Sequence, residues 1–181
     1  FPMWRTWFGL NGLCKLLWND VEPEDNGESG APAKVPAHVR GYCEFVAGMT
    51  GREVEPEDLI LQSERVYNFQ RLFNLKMGFG RRAHDAIPYR AQGPVTAAEY
   101  ESRQERYDKQ LKEEAGVDPA PLSLDERRAA LRKYREGRYE KLLDAVYKRR
   151  GWTPNGVPTL ERLKQLGIDF PELVQLVKPL L

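Results

Sequence analysis

Asn11-Gly12-Leu13-Cys14-Lys15 places one thiol just after a Gly-Leu turn. A cysteine thiolate is a ligand for iron, but one thiolate cannot hold an iron–sulfur cluster, which needs three more ligands. The chain has only one other cysteine, Cys43. Cys14 is therefore either an ordinary buried thiol or one contribution to something larger. Cys43 falls at helical spacing with Val39, Tyr42 and Val46, which reads as plain packing.

The remaining chemistry-bearing residues are sparse. His84 stands beside Asp85, a pair that suits a proton relay. In a loop without further ligands at recognisable spacing, His84 reads instead as a surface residue, and His38 likewise. Arg81-Arg82 follows Gly78-Phe79-Gly80 and suits either an anionic group or the negative end of a preceding helix, the latter being the simpler reading. No strand precedes Gly78-x-Gly80, so it is no dinucleotide fingerprint. Tyr134, Tyr139, Tyr147 and Trp152 follow helical spacing and a turn, and read as core rather than as a base-stacking platform.

The elements that must position these residues are helical. The segment from Trp4 to Trp18 has almost no polar face, so it reads as core packed against protein outside this chain. Residues 19–37 are acidic and rich in Gly and Pro, a loop composition. Val39–Gly48 is expected to be a short helix. Pro56 suits a first helical turn, with Glu57-Asp58 at its positive end, and the helix should run to about Lys76. Its expected apolar face is Leu59, Ile60, Val66, Phe69, Leu72, Phe73 and Leu75. Residues 81–95 read as a loop, Ala97–Glu114 as a polar helix and Asp118–Pro121 as a linker. Ser123-Leu124-Asp125-Glu126 is a capping box that opens a helix to about Arg150, ended by Gly151. Thr159 should cap a short helix over Leu160–Leu166, and Pro171 should start a last turn or two. No alternating strand pattern and no internal repeat are present. The fold class expected is mainly α, a single irregular helical domain over residues 1–181.

With 28 Lys and Arg against 27 Asp and Glu, the formal charge is +1, which leaves no electrostatic footprint for nucleic acid. The basic clusters Arg127-Arg128, Arg132-Lys133 and Lys148-Arg149-Arg150 alternate with acids and read as solvated helix faces. Mean hydropathy is -0.63, and no stretch reaches the ~20 apolar residues of a membrane span. Two cysteines make no disulfide framework, which fits a reducing, cytoplasmic setting. The chain opens at Phe1, which suggests a processed or partial sequence.

Three stretches together resemble the C-terminal part of the aldehyde ferredoxin oxidoreductase family, tungsten- or molybdenum-pterin iron–sulfur enzymes. They are Gly12-Leu13-Cys14-Lys15; Glu64-Arg65-Val66-Tyr67-Asn68-Phe69-Gln70-Arg71-Leu72-Phe73-Asn74 running into Gly78-Phe79 and Arg81-Arg82; and Arg150-Gly151-Trp152 with Asn155-Gly156-Val157-Pro158-Thr159. The region of about 90–121 looks longer than the family usually carries and adds nothing to the likeness. The resemblance implies that Cys14 is the last ligand of a [4Fe–4S] cluster and that Gly12 and Leu13 lie along a pterin of a tungsten (or molybdenum) bis-pterin. The family's motif has an Asp where this chain has Gly9, which puts the pterin contact from that side in doubt.

By the same resemblance, the complete enzyme oxidises an aldehyde to a carboxylic acid and passes electrons to ferredoxin. The family's other cluster cysteines, second pterin motif and acid–base residues lie in preceding sequence. The isolated chain is therefore expected to be inactive and free of cofactors, with the remainder of the enzyme as its partner. The active-site subunit of class II benzoyl-CoA reductase is a relative in the same family plan, with a thioester substrate. A cofactor-free helical interaction module is the alternative from a different class, supported by the apolar N-terminal segment, the charged helices and the lack of a complete site.

Overall fold

The computed structural model describes residues 2–14 and 37–181, with the side chains of Pro2, Ala37 and His38 set aside. The acidic Gly/Pro-rich stretch falls almost wholly outside the described residues, as do Leu16, Leu17 and Trp18 of the apolar segment. Among the described residues the structure is mainly helical and has no strand, as expected for the fold class. These residues group into two compact units, one of residues 1–78 with 158–181, the other of residues 79–157.

The first unit contains α1 (Pro2–Leu10), α2 (Ala37–Thr50), α3 (Pro56–Lys76), α7 (Leu160–Leu166) and α8 (Pro171–Val177). Pro56 opens α3, whose start is closed when the Glu55 N–H donates to Asp58 Oδ2 at 3.0 Å. α3 is the hub: α1, α2, α7 and α8 all pack on it. Trp7, Phe8 and Leu59 form a buried cluster, covered by Trp4, Leu13, Tyr42, Cys43 and Val46. The Trp7 and Tyr42 rings lie 4.9 Å apart, and Phe8 meets Tyr42 edge-on at 5.3 Å. Within the described part of the apolar N-terminal segment, Trp7 and Phe8 thus find a core inside this chain, buried against α2 and α3, while Leu10 is exposed.

One part of the expected α3 pattern is reversed. Leu59, Leu72 and Leu75 are buried, but Phe69 and Phe73 are exposed, and the buried face carries Ser63, Asn68 and Arg71 instead. Asn68 Nδ2 donates to the Glu64 carbonyl at 2.8 Å, so one of its polar groups is satisfied inside the helix. Glu64 pairs with Arg162 of α7, and Arg65 Nε donates to the Leu166 carbonyl at 2.7 Å, closing the end of α7.

The second unit holds α4 (Ala97–Glu101), α5 (Gln104–Glu113) and α6 (Leu124–Arg150), preceded by short 3₁₀ turns at Arg82–His84 and Tyr89–Gln92. The polar helix expected over 97–114 is broken at Ser102–Arg103. Its two halves wrap Tyr100, Tyr107 and Leu111 around Leu131 of α6. The Tyr100 hydroxyl donates to Asp108 Oδ1 at 2.8 Å, and Arg127 Nη1 donates to Asp108 Oδ2 at 3.0 Å. The capping box is present as read: Ser123 N donates to Glu126 Oε2 at 2.8 Å and Glu126 N to Ser123 Oγ at 3.4 Å.

Arg127, Arg128 and Arg132 depart from the expected solvated face, while Lys133, Lys148 and Arg149 are exposed as expected. Arg128 donates to the Val95 carbonyl, Arg132 Nη1 to the Tyr89 carbonyl at 2.6 Å, and Arg138 Nη1 to Glu114 Oε2 at 2.9 Å. They fasten the irregular segment 88–114 to the long helix. On α6, Leu131, Leu143 and Tyr147 are buried, while Leu142 is exposed.

Candidate functional site

Gly12, Leu13 and Cys14 form the C-terminal turn of α1. Gly12 has φ +68, the left-handed conformation that L side chains disfavour. Its N–H donates to the Gly9 carbonyl at 3.4 Å, and the Leu13 N–H donates to the Phe8 carbonyl at 2.9 Å. This pairing is a Schellman motif, which reverses the chain and sends the following residue inward. Leu13 accordingly packs on the Trp7–Phe8–Leu59 cluster. The next residue, Cys14, is exposed with a free thiol. Cys14 is thus not the buried thiol that the simpler reading of the sequence allows.

A cleft of about 510 Å³ lies beside this turn. Arg5, Gly9 and Leu10 of α1 line one side, and Val66, Tyr67 and Gln70 of α3 the other. A Cβ at Gly9 would meet nothing within 4 Å, so the missing side chain leaves open space there. Tyr67 and Gln70 fall in one of the stretches that carry the family resemblance, whereas Arg5 lies outside all three. The available signal was the spacing of Arg5 and Gly9, one helical turn apart on the same face.

The other candidate residues take structural places. Cys43 is half-buried against the aromatic cluster, as its spacing suggested. Burial raises its pKa first, and the nearby Glu55, Asp58 and Glu57 carboxylates add to the rise. His84 is exposed and meets Phe79 edge-on at 5.5 Å. Asp85 is instead engaged by α6: its carboxylate accepts from the Tyr147 hydroxyl and its carbonyl from the Tyr139 hydroxyl at 2.5 Å. Arg82 does not stand free for an anion. It pairs with Glu140 and, at 2.7 Å, with Asp144, and donates to the Pro154 carbonyl at 3.0 Å. Those hydrogen bonds raise its pKa still further above the usual arginine range.

Among the described residues, no three His, Cys, Asp or Glu side chains come together as metal ligands. The chemistry of the donor set therefore fits one corner of a cluster and no more: an exposed thiol on a turn fixed by two backbone hydrogen bonds.

The sequence model for "Aldehyde ferredoxin oxidoreductase, domains 2 & 3" matches residues 1–168. The chain belongs to the aldehyde ferredoxin oxidoreductase family. It is similar to the tungsten-containing aldehyde ferredoxin oxidoreductase of Pyrococcus abyssi, at 28% identity over 71% of this chain and 16% of that protein. The enzyme of the same name from Pyrococcus horikoshii is 27% identical over 71% of this chain and 16% of its own length. That of Pyrococcus furiosus is 28% identical over 70% and 16%. This member of the aldehyde ferredoxin oxidoreductase family thus spans about a sixth of the length of the curated relatives it matches. No solved structure gives a significant match. Among the described residues, no helix is long and apolar enough to cross a membrane.

Proposed function

We propose that this chain is the C-terminal part of a tungsten-pterin iron–sulfur oxidoreductase that oxidises aldehydes to carboxylic acids, with ferredoxin as electron acceptor. The observation that carries the reading is the continuous family match over residues 1–168, which includes the turn that exposes Cys14. The reading gives Cys14 the place of one thiolate ligand of a [4Fe–4S] cluster. The other ligands come from polypeptide supplied by the rest of the enzyme. A pterin-bound tungsten, when present, supplies the two-electron redox chemistry.

The chain's own contribution is positional. The Schellman turn fixes the direction in which Cys14 points, and Leu13 anchors that turn to the aromatic cluster. Gly12 carries no side chain, so a planar cofactor can approach its backbone closely. Gly9 replaces the family's acid at the edge of the cleft, so any cofactor contact there falls to the Arg5, Tyr67 and Gln70 side chains. One turn that meets both cofactors would give electrons a short path between them.

The test is Cys14→Ala in the full-length protein. The expected result is loss of cluster iron and of the cluster's redox signal, with far-UV circular dichroism unchanged because Cys14 is exposed. Unchanged iron content and an unchanged signal would remove Cys14 from the ligand set.

A further inference from the structure

In the second unit, a hollow of about 330 Å³ opens between the Tyr89–Gln92 turn, α4, α5 and α6, lined by Arg90, Gly93, Glu99, Arg103, Tyr107 and Arg135 among others. Its charges are unevenly matched. Glu99 is the one carboxylate in the lining, and it is already fully engaged. Its Oε2 accepts from the Val95 and Thr96 N–H groups at 2.7 and 3.3 Å, and its Oε1 from Arg90 at 2.5 Å. Those donors hold Glu99 below the usual carboxylate range, the Val95 N–H most of all. Arg135 hydrogen-bonds a neutral acceptor, Gln110 Oε1, at 2.7 Å from Nη2, and the Glu114 carboxylate lies within its electrostatic reach without a direct ion pair to it. It is held in place by the Tyr107 ring, 5.3 Å below the guanidinium. Gly93 opposes it from the other side, where a Cβ would stand 3.4 Å from Nη1. Among the described residues Arg103 forms no ion pair, and it sits where α5 begins without a side-chain cap. A cation is an unfavourable choice at that position. Such a local violation marks a place where something other than folding selects the residue.

We propose that Arg90, Arg103 and Arg135 form a binding site for the phosphoryl group of a small organic phosphate. Guanidinium groups match phosphate oxygens in geometry and charge. The volume has room for roughly ten water molecules, more than a bare phosphate fills. The site lies apart from the Cys14 turn in the chain and does not depend on the reading of that turn.

The experiment is calorimetric titration of the protein at low salt with glycerol 3-phosphate, inorganic phosphate and acetate. Glycerol 3-phosphate should bind saturably and more tightly than either simple anion. Arg103→Ala should weaken it about tenfold or more, the scale of one charge-assisted hydrogen bond. Arg106→Ala, one turn along α5 and outside the hollow, should change it by less than about twofold. Glu99, the one carboxylate lining the hollow, is held below the usual carboxylate range and stays ionised until acid pH. Affinity should therefore fall as pH drops through ~6, where the phosphate monoester loses its second charge. Circular dichroism of Arg103→Ala should match the parent, since this side chain is exposed. Absence of saturable binding, or equal losses from Arg103→Ala and Arg106→Ala, overturns the site. Acetate binding as tightly as the ester overturns the phosphoryl assignment. Inorganic phosphate binding as tightly as the ester overturns the organic part.

Discussion

Gly12 controls where Cys14 goes. Its φ of +68 is available to glycine at little cost, while a Cβ there costs about 1–2 kcal/mol. Nothing lies within 4 Å of that Cβ, so the penalty of Gly12→Ala is conformational rather than steric. Gly12→Ala should therefore lower stability by about 1 kcal/mol in denaturant unfolding. It should also alter the rate at which Cys14 reacts with a soluble disulfide, because the turn that aims the thiol is strained. A reaction rate and midpoint equal to those of the parent would show that the turn does not set the thiol's position. The Gly-Leu-Cys sequence carried this much in advance: a glycine, then an apolar residue, then a thiol. It did not show that Leu13 would turn inward and Cys14 outward, because that depends on hydrogen bonds back to Phe8 and Gly9 and on a hydrophobic cluster completed by α2 and α3. Phe69 and Phe73 were misread for the converse reason. Helical spacing identifies a stripe, but the buried stripe is rotated toward Asn68 and Arg71, so it keeps Leu72 and Leu75 and leaves Phe69 and Phe73 outside.

At the scale of elements, start and stop signals were more legible than faces. Pro56, Ser123, Gly151, Thr159 and Pro171 all mark the helix ends they were expected to mark. These signals act within one turn of chain, so sequence contains them in full. The break at Ser102–Arg103 and the arginine fastenings from α6 are long-range and were not visible. Arg132 reaches a carbonyl 43 residues away. The α6 cap gives a direct test. Ser123→Ala should cost about 1 kcal/mol at neutral pH, the usual worth of a serine cap. The Glu126 carboxyl is held below its ordinary value of 4.5, chiefly by the Ser123 hydroxyl and then by the Ser123 N–H. A depressed carboxylate contributes stability that is present above its unfolded value and is lost as pH falls through the folded one. The difference between parent and Ser123→Ala should accordingly be full above pH 4.5 and shrink below it. Thermal melts of both proteins across that range would check this. A difference that grows in acid would contradict the assigned partner.

At the scale of the whole molecule, the first unit is discontinuous, and that fact exposes a dependence of the Cys14 turn on the far end of the chain. α1 is packed on α3, and α3 is packed on α7 and α8. Residues 158–181 supply Leu163, Leu166 and Val177, all fully buried. Each such side chain contributes roughly 1.5–3 kcal/mol when buried, so the three together come to about 5–9 kcal/mol. That is comparable with the entire stability of a typical domain, about 5–15 kcal/mol. Their removal also strips α3 of the Glu64–Arg162 pair and the Arg65–Leu166 bond. A chain ending at Val157 should therefore lose the first unit while keeping the second, which is continuous over residues 79–157. In hydrogen exchange, amides of α1 and α3 should lose protection, and those of α5 and α6 around Tyr107 and Leu131 should keep it. Cys14 should then react as fast as a thiol in an unfolded peptide. Retained protection in α3 would mean that α1 and α2 alone hold it, and the Cys14 turn would owe nothing to the last two helices.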